Sequence, residues 1–363
     1  MKRPMILLIS TAFILTSLAG CMAGPKVTED TSEAVTVVTS ETTTVPSATT
    51  ETTTEATTTT EDPRGHFEFK PHVMSKILGD YMGEDICIAY DNYIDAVMAG
   101  EDDFEVKDSE TYDWMIGQMP CVLFPVVCEY TGSFYDGAVN NGRGKFLYKI
   151  SKDEFKVKEA GFEKLVTDIL NENLRDNYSD FEKVLALYIY FSDTYTYDYD
   201  AYHNPDIDSD TLGAYRFLTT GHGICSECAP AFSYLLLQAG VESTVVGGHC
   251  PSTDDGHSWV YVTINGKNYH VDPTYVMSSS GYLSYLMMTD EQREVEDGYR
   301  RDDFRFGRNP SGEYDGKDLV ADDDYFAPLW GGYFTSWDTD KNIIYYIDVN
   351  GNDATFEYSS FEN

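Results

Sequence analysis

Near the centre of the chain run the residues His257-Ser258-Trp259-Val260-Tyr261-Val262-Thr263-Ile264, then Asn265-Gly266, then Lys267-Asn268-Tyr269-His270-Val271-Asp272-Pro273-Thr274. Both long stretches are rich in the aromatic and β-branched side chains of strands, and Asn-Gly tolerates the positive φ angles of a two-residue hairpin turn. The turn sets the register, with 264 opposite 267, 262 opposite 269 and 260 opposite 271. Because side chains alternate along a strand, His257, Trp259, Asp272 and Thr274 are predicted to share one face. His257 and Asp272 then become diagonal neighbours, roughly 7–8 Å apart.

A cysteine stands before a predicted buried helix upstream of this hairpin, in Gly223-Ile224-Cys225-Ser226-Glu227-Cys228-Ala229. Apolar residues then recur at helical spacing as far as Gly240, a residue typical of a helix C-terminus. Cys225 is therefore predicted at or just before the start of the helix. The partial positive charge and the N–H groups there favour a thiolate and can receive a developing oxyanion.

These segments resemble the transglutaminase-like superfamily, which has a papain-like core. The resemblance rests on Gly-x-Cys-x-x-x-Ala opening a helix, on Gly256-His257-Ser258-Trp259 and on Val271-Asp272-Pro273-Thr274. Upstream it includes Tyr197-Asp198-Tyr199-Asp200, and it covers roughly 180–290. It implies an α+β fold in which a nucleophile-bearing helix packs on an antiparallel sheet. It also implies that Cys225 is an acyl-accepting nucleophile, His257 its base and Asp272 the group that orients the imidazole, with no cofactor and no metal.

The residues beside the predicted nucleophile depart from the family pattern. Glu227 and Cys228 stand where small and aromatic residues are usual, and with Trp259 they are candidates for the substrate cleft. A carboxylate at Glu227 is expected to raise the pKa of the nearby thiol. Two other interpretations of the cysteines stay open. Cys225 and Cys228 have the spacing of a thioredoxin-type redox pair, and oxidation would switch the nucleophile off. Cys225, Cys228, His249, Cys250 and His257 together offer enough soft ligands for zinc.

The N-terminus is typical of an exported lipoprotein. Residues 1–20 contain Lys2 and Arg3, an apolar run and Leu18-Ala19-Gly20 directly before Cys21, which predicts a cleaved signal and lipidation of Cys21. The apolar run is too short for a membrane-spanning helix. Residues 21–63 are Thr-, Ser- and Glu-rich and predict a disordered stalk. Together these features predict a protein anchored to the membrane by lipid, outside the cytoplasm.

The chain has 363 residues and a formal net charge of −37. A field of that sign repels phosphate backbones, which argues against nucleic acid as a partner. Polypeptide is the expected substrate. Two acidic loops, beginning at Asp206 and Asp338, start like calcium loops but lack the glycine and glutamate that such loops need, so we interpret them as solvated surface.

The rest of the chain divides into three predicted regions. Residues 64–150 form a small α+β region with strands at 86–90, 121–128 and 145–150. Residues 151–290 form the catalytic core, with one helix carrying the stripe Phe162, Val166 and Ile169 and a second opened by a capping box at Ser179–Glu182. Residues 291–363 form a C-terminal extension of helix and strands.

Cys87, Cys121, Cys128, Cys228 and Cys250 are interpreted as mostly packing cysteines. A strand across 121–128 would hold its two cysteines too far apart to pair.

The sequence is compatible with two functions. The first is thiol-dependent acyl transfer on peptide or carboxamide bonds, as a peptidase or amidase if water accepts the acyl group, or as a cross-linking enzyme if an amine donor does. The second is a non-catalytic surface module that keeps the same core for binding. For the enzyme, Asp272→Ala is expected to weaken activity without unfolding the protein.

Overall fold

The structure is a computed structural model that describes residues 64–116, 123–133, 138–204, 206–207, 211–250, 255–277, 279, 281–307 and 314–361. The predicted signal at 1–20, Cys21, the stalk at 21–63 and Cys121 lie outside these residues. The described helices are α1 Lys76–Met82, α2 Glu84–Ala99, α3 Ser109–Ile116, α4 Pro125–Tyr130, α5 Lys152–Asn173, α6 Asp180–Thr194, α7 Tyr199–His203, α8 Ala214–Thr220, α9 Cys225–Gln238 and α10 Asp290–Asp297. None of them combines the length and the hydrophobicity needed to cross a bilayer.

The strands form separate small sheets. They are β1 Asp103–Glu105, β2 Thr131–Ser133, β3 Val139–Asn140, β4 Arg143–Tyr148, β5 Thr196–Tyr197, β6 His222–Gly223, β7 Glu242–Cys250, β8 Asp255–Ile264, β9 Lys267–Val271, β10 Arg305–Phe306, β11 Tyr333–Asp338, β12 Ile343–Ile347 and β13 Asp353–Glu357. The central sheet is antiparallel, with strand order β10-β7-β8-β9. The predicted fold class, helices combined with antiparallel sheet, is confirmed.

The hairpin of β8 and β9 has the predicted register. Ile264 pairs with Lys267, Val262 with Tyr269 and Val260 with Val271. Asn265 and Gly266 have φ angles of 53° and 72°, the left-handed conformation that a two-residue turn of this type requires. The register therefore follows from the turn, and it brings the ends of the two strands that carry His257 and Asp272 side by side.

Helix α9 lies against the central sheet and begins at Cys225, as predicted. From Glu227 to Gln238 every residue of the helix is buried, so the helix is enclosed on all sides. Such a helix is stable only inside a core. Its neighbours are α8 and the two longest strands of the sheet, β7 and β8, which fix the position of its first residue.

The N-terminal region is more helical than predicted. Residues 86–90 belong to α2, and Pro125–Tyr130 form α4 where a strand was predicted; both predictions are wrong. The five-residue run at 86–90 has no period of its own, but the buried residues continue through Tyr93, Ile94 and Val97 at helical spacing. Pro125 supplies the fixed φ of a first helical residue. The predicted strand at 145–150 is confirmed as β4.

The two predicted helices before the nucleophile are confirmed as α5 and α6. The stripe on α5 is buried, and the capping box of α6 is present. Ser179 Oγ accepts a hydrogen bond from the N–H of Glu182 at 3.2 Å, and Glu182 Oε2 accepts one from the N–H of Ser179 at 2.8 Å. The C-terminal strands are also confirmed, as the sheet β11-β12-β13. Residues of all three sequence regions contribute to one large hydrophobic core.

The described cysteines differ in state. Cys87, Cys225, Cys228 and Cys250 are not in disulfides, and of these Cys228 and Cys250 are buried. Cys128 is disulfide-bonded, so its interpretation as a packing cysteine is wrong. It lies in α4, not in a strand, and the argument that a strand separates it from Cys121 therefore no longer applies.

Candidate active site

Cys225 is the first residue of α9. The backbone before it is held by β6, which pairs in parallel with β5, so that Tyr197 lies opposite Gly223. The N–H groups of a first helical turn have no intrahelical acceptor and carry partial positive charge. Cys225 itself is partly exposed. A thiol at this position is both reachable and close to groups that stabilise negative charge.

His257 lies on β8 and its side chain is completely buried. Its Nε2 is 2.7 Å from Oδ2 of Asp272, which directly follows β9. The same imidazole lowers the pKa of the Cys225 thiol. Because Asp272 occupies Nε2, Nδ1 is the ring nitrogen left for the sulfur. The structure thus brings Cys225, His257 and Asp272 together in one cluster.

The environment of Cys225 favours the thiolate. Burial raises the pKa of the thiol, but the hydrogen bond and the positive charge of His257 outweigh it, together with a hydrogen bond from the backbone of Ser258. The result is a Cys225 pKa below its ordinary value of 9.0. Glu227 is not among the main causes, and the net pKa of this thiol is lowered where the sequence led us to expect a raised one.

Asp272 has partners on both carboxylate oxygens. Oδ1 accepts the N–H of Thr274 at 3.0 Å, and Oδ2 faces the imidazole. The N–H of Asp272 donates to the carbonyl of Tyr285 at 2.9 Å. Burial raises the pKa of this carboxyl, yet the charges of His257 and Arg293 and these hydrogen bonds hold it below 3.8. Asp272 is therefore an ionised, immobile acceptor behind the imidazole.

Arg293, on α10, is the residue that the sequence reading missed. Its side chain is fully buried, and its Nη2 lies 2.9 Å from Oδ2 of Asp272, the oxygen that also binds His257. Its Nη1 lies 3.2 Å from Asp297. The guanidinium carbon is 4.4 Å from the ring centre of Trp259 and 5.0 Å from that of Tyr299. In the sequence Arg293 stands among charged residues typical of an exposed helix, so no local pattern distinguishes it.

Trp259 is buried against the imidazole and does not line an open cleft. Its ring is 5.9 Å from that of His257 at an interplanar angle of 21°. Its Nε1 donates to Nδ1 of His270 at 2.8 Å, and Nε2 of His270 lies 2.8 Å from Asp290. Burial lowers the pKa of His270, which suits a neutral ring that accepts from Trp259 and donates to Asp290. Trp259 is thus a rigid wall behind the site.

Glu227 is also buried, and its role is to anchor the start of α9. Its carboxylate accepts from Nε and Nη2 of Arg216, each at 2.8 Å, and from the N–H groups of Gly213 and Ile224, each at 3.0 Å. Arg216 in turn binds Asp198 at 3.0 Å. A Cβ on Gly223 would lie 2.8 Å from Glu227 Oε2, which explains the glycine of the Gly-x-Cys motif. The prediction that Glu227 lines the cleft is wrong, because every hydrogen-bonding direction of its carboxylate points into the protein.

Cys228 is buried one turn after Cys225, so the prediction that it lines the cleft is also wrong. Burial raises the pKa of its thiol well above the ordinary value. A protonated, enclosed thiol is a weak nucleophile. The zinc interpretation is not supported, because no group of three or more His, Cys, Asp or Glu side chains in the described residues has a metal-binding arrangement.

Comparison with known proteins agrees with this site. The transglutaminase-like superfamily model matches residues 168–273, which include Cys225, His257 and Asp272. No curated protein matches the chain significantly. Residues 168–273 therefore form a transglutaminase-like superfamily domain, as the sequence motifs predict.

Solved structures give only partial matches. A putative cysteine protease from Cytophaga hutchinsonii is 21% identical and covers 26% of this chain and 32% of its own, with a TM-score of 0.22. The periplasmic domain of TgpA from Pseudomonas aeruginosa, bound to ethylmercury, is 22% identical over 34% and 45%, with a TM-score of 0.24. A structure described as a TGase is 17% identical over 54% and 58%, with a TM-score of 0.30. The chain thus spans between a third and somewhat over half of these proteins.

Proposed function

We propose that this protein is a cysteine acyl-transfer enzyme that acts on peptide or carboxamide bonds. The observation that carries the proposal is the cluster of the Cys225 thiol, the His257 imidazole and the Asp272 carboxylate, in which the imidazole and the carboxylate are 2.7 Å apart and buried. A buried charged pair is costly unless it is fully hydrogen-bonded. The His257–Asp272 pair lies next to Cys225, a partly exposed residue whose thiol has a lowered pKa. A nucleophile needs that combination.

The reaction would proceed in two halves. The Cys225 thiolate attacks the carbonyl carbon and forms a carbon–sulfur bond, while the carbonyl oxygen becomes an oxyanion near the N–H groups of the first turn of α9. The imidazolium of His257 gives its proton to the leaving nitrogen, the carbon–nitrogen bond breaks, and a thioester remains. Water or a primary amine then loses a proton to His257 and attacks the thioester, which releases the thiol and an acid or a new amide.

The second half decides between hydrolysis and cross-linking. Attack by water gives a peptidase or amidase, and attack by a lysine amine joins two polypeptides. With Cys21 lipidated as the sequence predicts, either reaction would take place at the outer face of the membrane. Loss of membrane association in Cys21→Ser would support that location, and unchanged association would contradict it.

The test of the enzyme is the reactivity of Cys225 itself. We expect iodoacetamide to modify Cys225 rapidly at neutral pH and His257→Ala to slow this modification about a hundredfold or more, because the thiol pKa loses its main depressing partner. His66→Ala, at a largely exposed histidine, is the matched control and should leave the rate unchanged. Tandem mass spectrometry separates Cys225 from Cys228 on the same peptide.

The acceptor is identified by a second measurement on the same preparations. A glutamine-containing peptide is incubated with and without a fluorescent primary amine, and both ammonia release and amine incorporation are followed. Either signal must vanish in Cys225→Ala. A slow labelling rate that His257→Ala does not change, together with no turnover, would favour the non-catalytic binding module instead.

A further inference from the structure

Two cationic groups share one oxygen of the candidate active site. Oδ2 of Asp272 lies 2.7 Å from Nε2 of His257 and 2.9 Å from Nη2 of Arg293. Arg293 lies beyond residue 273, the last residue of the superfamily match. Oδ2 of Asp272 therefore interacts with the guanidinium as well as with the imidazole.

The protein fixes Arg293 from several directions. The side chain is fully buried; Trp259 and Tyr299 lie against its guanidinium, and Tyr275 is 5.7 Å away. Asp297, one turn further along α10, holds its other end at 3.2 Å. A guanidinium is always charged and is rigid and planar. Its position and its charge are therefore constant while the imidazole gains and loses a proton.

We infer that Arg293 is a positioning residue of the candidate active site: it fixes the Asp272 carboxylate and limits how strongly that carboxylate stabilises the His257 imidazolium. The inference rests on the proposed function. Its physical basis is competition, because one carboxylate oxygen divides its interaction between a permanent cation and a titrating one. The base is thereby kept weak enough to release its proton to a leaving group.

The other titratable groups around this cluster add few charges to it near pH 7. They are Tyr188 on α6, Cys225 and Cys228 on α9, His270 on β9, Tyr275 and Tyr285 after β9, Glu296 and Asp297 on α10, and Tyr299 after α10. Burial raises the pKa of Tyr188, of Tyr285 and of Cys228, and lowers that of His270, so all four are neutral near pH 7. The groups that remain are the Cys225–His257 pair, Asp272, Arg293 and the two acids of α10, whose pKa values are raised by burial.

The test is the pH profile of Cys225 labelling by iodoacetamide in Arg293→Met, which keeps an unbranched side chain that can be buried but removes the charge. Removing a cation makes the imidazolium easier to keep and the thiolate harder to form, so both transitions of the profile should move to higher pH. On the acid side the labelling rate should fall about tenfold, the change that ~1.4 kcal/mol produces. Arg300→Met, at a mostly exposed arginine, is the matched control and should keep the wild-type profile.

A second variant covers the case in which Arg293→Met does not fold. Asp297→Asn keeps the shape of its side chain but removes the acid that partly neutralises Arg293, so the profile should move to lower pH. A folded Arg293→Met with the wild-type profile, or an Asp297→Asn profile that does not move to lower pH, would overturn the inference. Failure of the proposed function is distinguishable, because wild-type Cys225 would then label slowly and independently of His257.

Discussion

At the scale of single residues, Asp272 is more than the group that orients an imidazole. It is also the main counter-charge of Arg293, a fully buried cation. Removing one member of a buried ion pair leaves the other uncompensated, which costs far more than the pair itself is worth. From the sequence alone we expected Asp272→Ala to leave the fold intact. Because Asp272 also pairs with Arg293, we now expect this substitution to destabilise the fold.

We predict that Asp272→Ala lowers both Cys225 reactivity and the free energy of unfolding, the latter by about 3–5 kcal/mol. Because the pKa of Asp272 lies below 3.8 in the folded protein, its contribution is present above that pH and is lost as the pH falls through the native pKa. The deficit should therefore shrink in strong acid. Urea unfolding at neutral and acid pH measures it.

Two comparisons sharpen this result. Asp303→Ala, which removes the partner of the mostly exposed Arg300, should cost only about 0–1 kcal/mol. The double variant Asp272→Ala/Arg293→Met should recover part of the lost stability without recovering reactivity. If the double variant is as unstable as the sum of the single ones, Arg293 and Asp272 do not act on each other.

At the scale of elements, the sequence is informative where structure is local. The β8–β9 register follows from Asn265-Gly266, and the start of α6 follows from Ser179 and Glu182. Short runs such as 86–90 carry no period of their own, so α2 was missed. Arg216 and Arg293 were missed for another reason. Each meets its carboxylate only after helices and strands have packed, and nothing in the neighbouring residues records that contact.

The start of α9 shows how one element depends on another. Glu227, in the first turn, is bound to Arg216 of α8 and to the backbone of Gly213 and Ile224. We predict that Glu227→Gln costs about 3–5 kcal/mol of unfolding free energy, because Glu227 is buried and the amide directs a donor at the partly buried guanidinium of Arg216. Thermal or urea unfolding measures the loss.

Glu291→Gln is the matched control for that helix start. Glu291 also lies in a first turn, that of α10, but it is exposed. Its loss should cost no more than about 1 kcal/mol. Equal effects of the two substitutions would mean that Glu227 acts only through the helix dipole and that its contact with Arg216 contributes nothing.

At the scale of the whole molecule, the residues that match the superfamily model are packed against parts of the chain outside the match. The aromatic rings of Phe326, Phe356 and Phe361, from the C-terminal part, pack around one another, and both Phe326 and Phe361 contact Phe181 of α6. Tyr358 donates to Glu182, the capping residue of α6, at 2.8 Å. Helix α10, which carries Arg293, also lies beyond the match. The site therefore depends on chain that the family pattern does not include.

We predict that a chain ending at residue 290 loses cooperative unfolding and near-ultraviolet circular dichroism, because it lacks the rings that cover Phe181 and leaves Asp272 without Arg293. A chain starting at Arg64 is the control, and it should unfold at the temperature of the full-length protein, since the predicted stalk contributes no core. Cooperative unfolding of the chain that ends at 290, with Cys225 as reactive as in the full-length protein, would contradict this dependence. It would also contradict the role of Arg293, because that chain lacks the residue altogether.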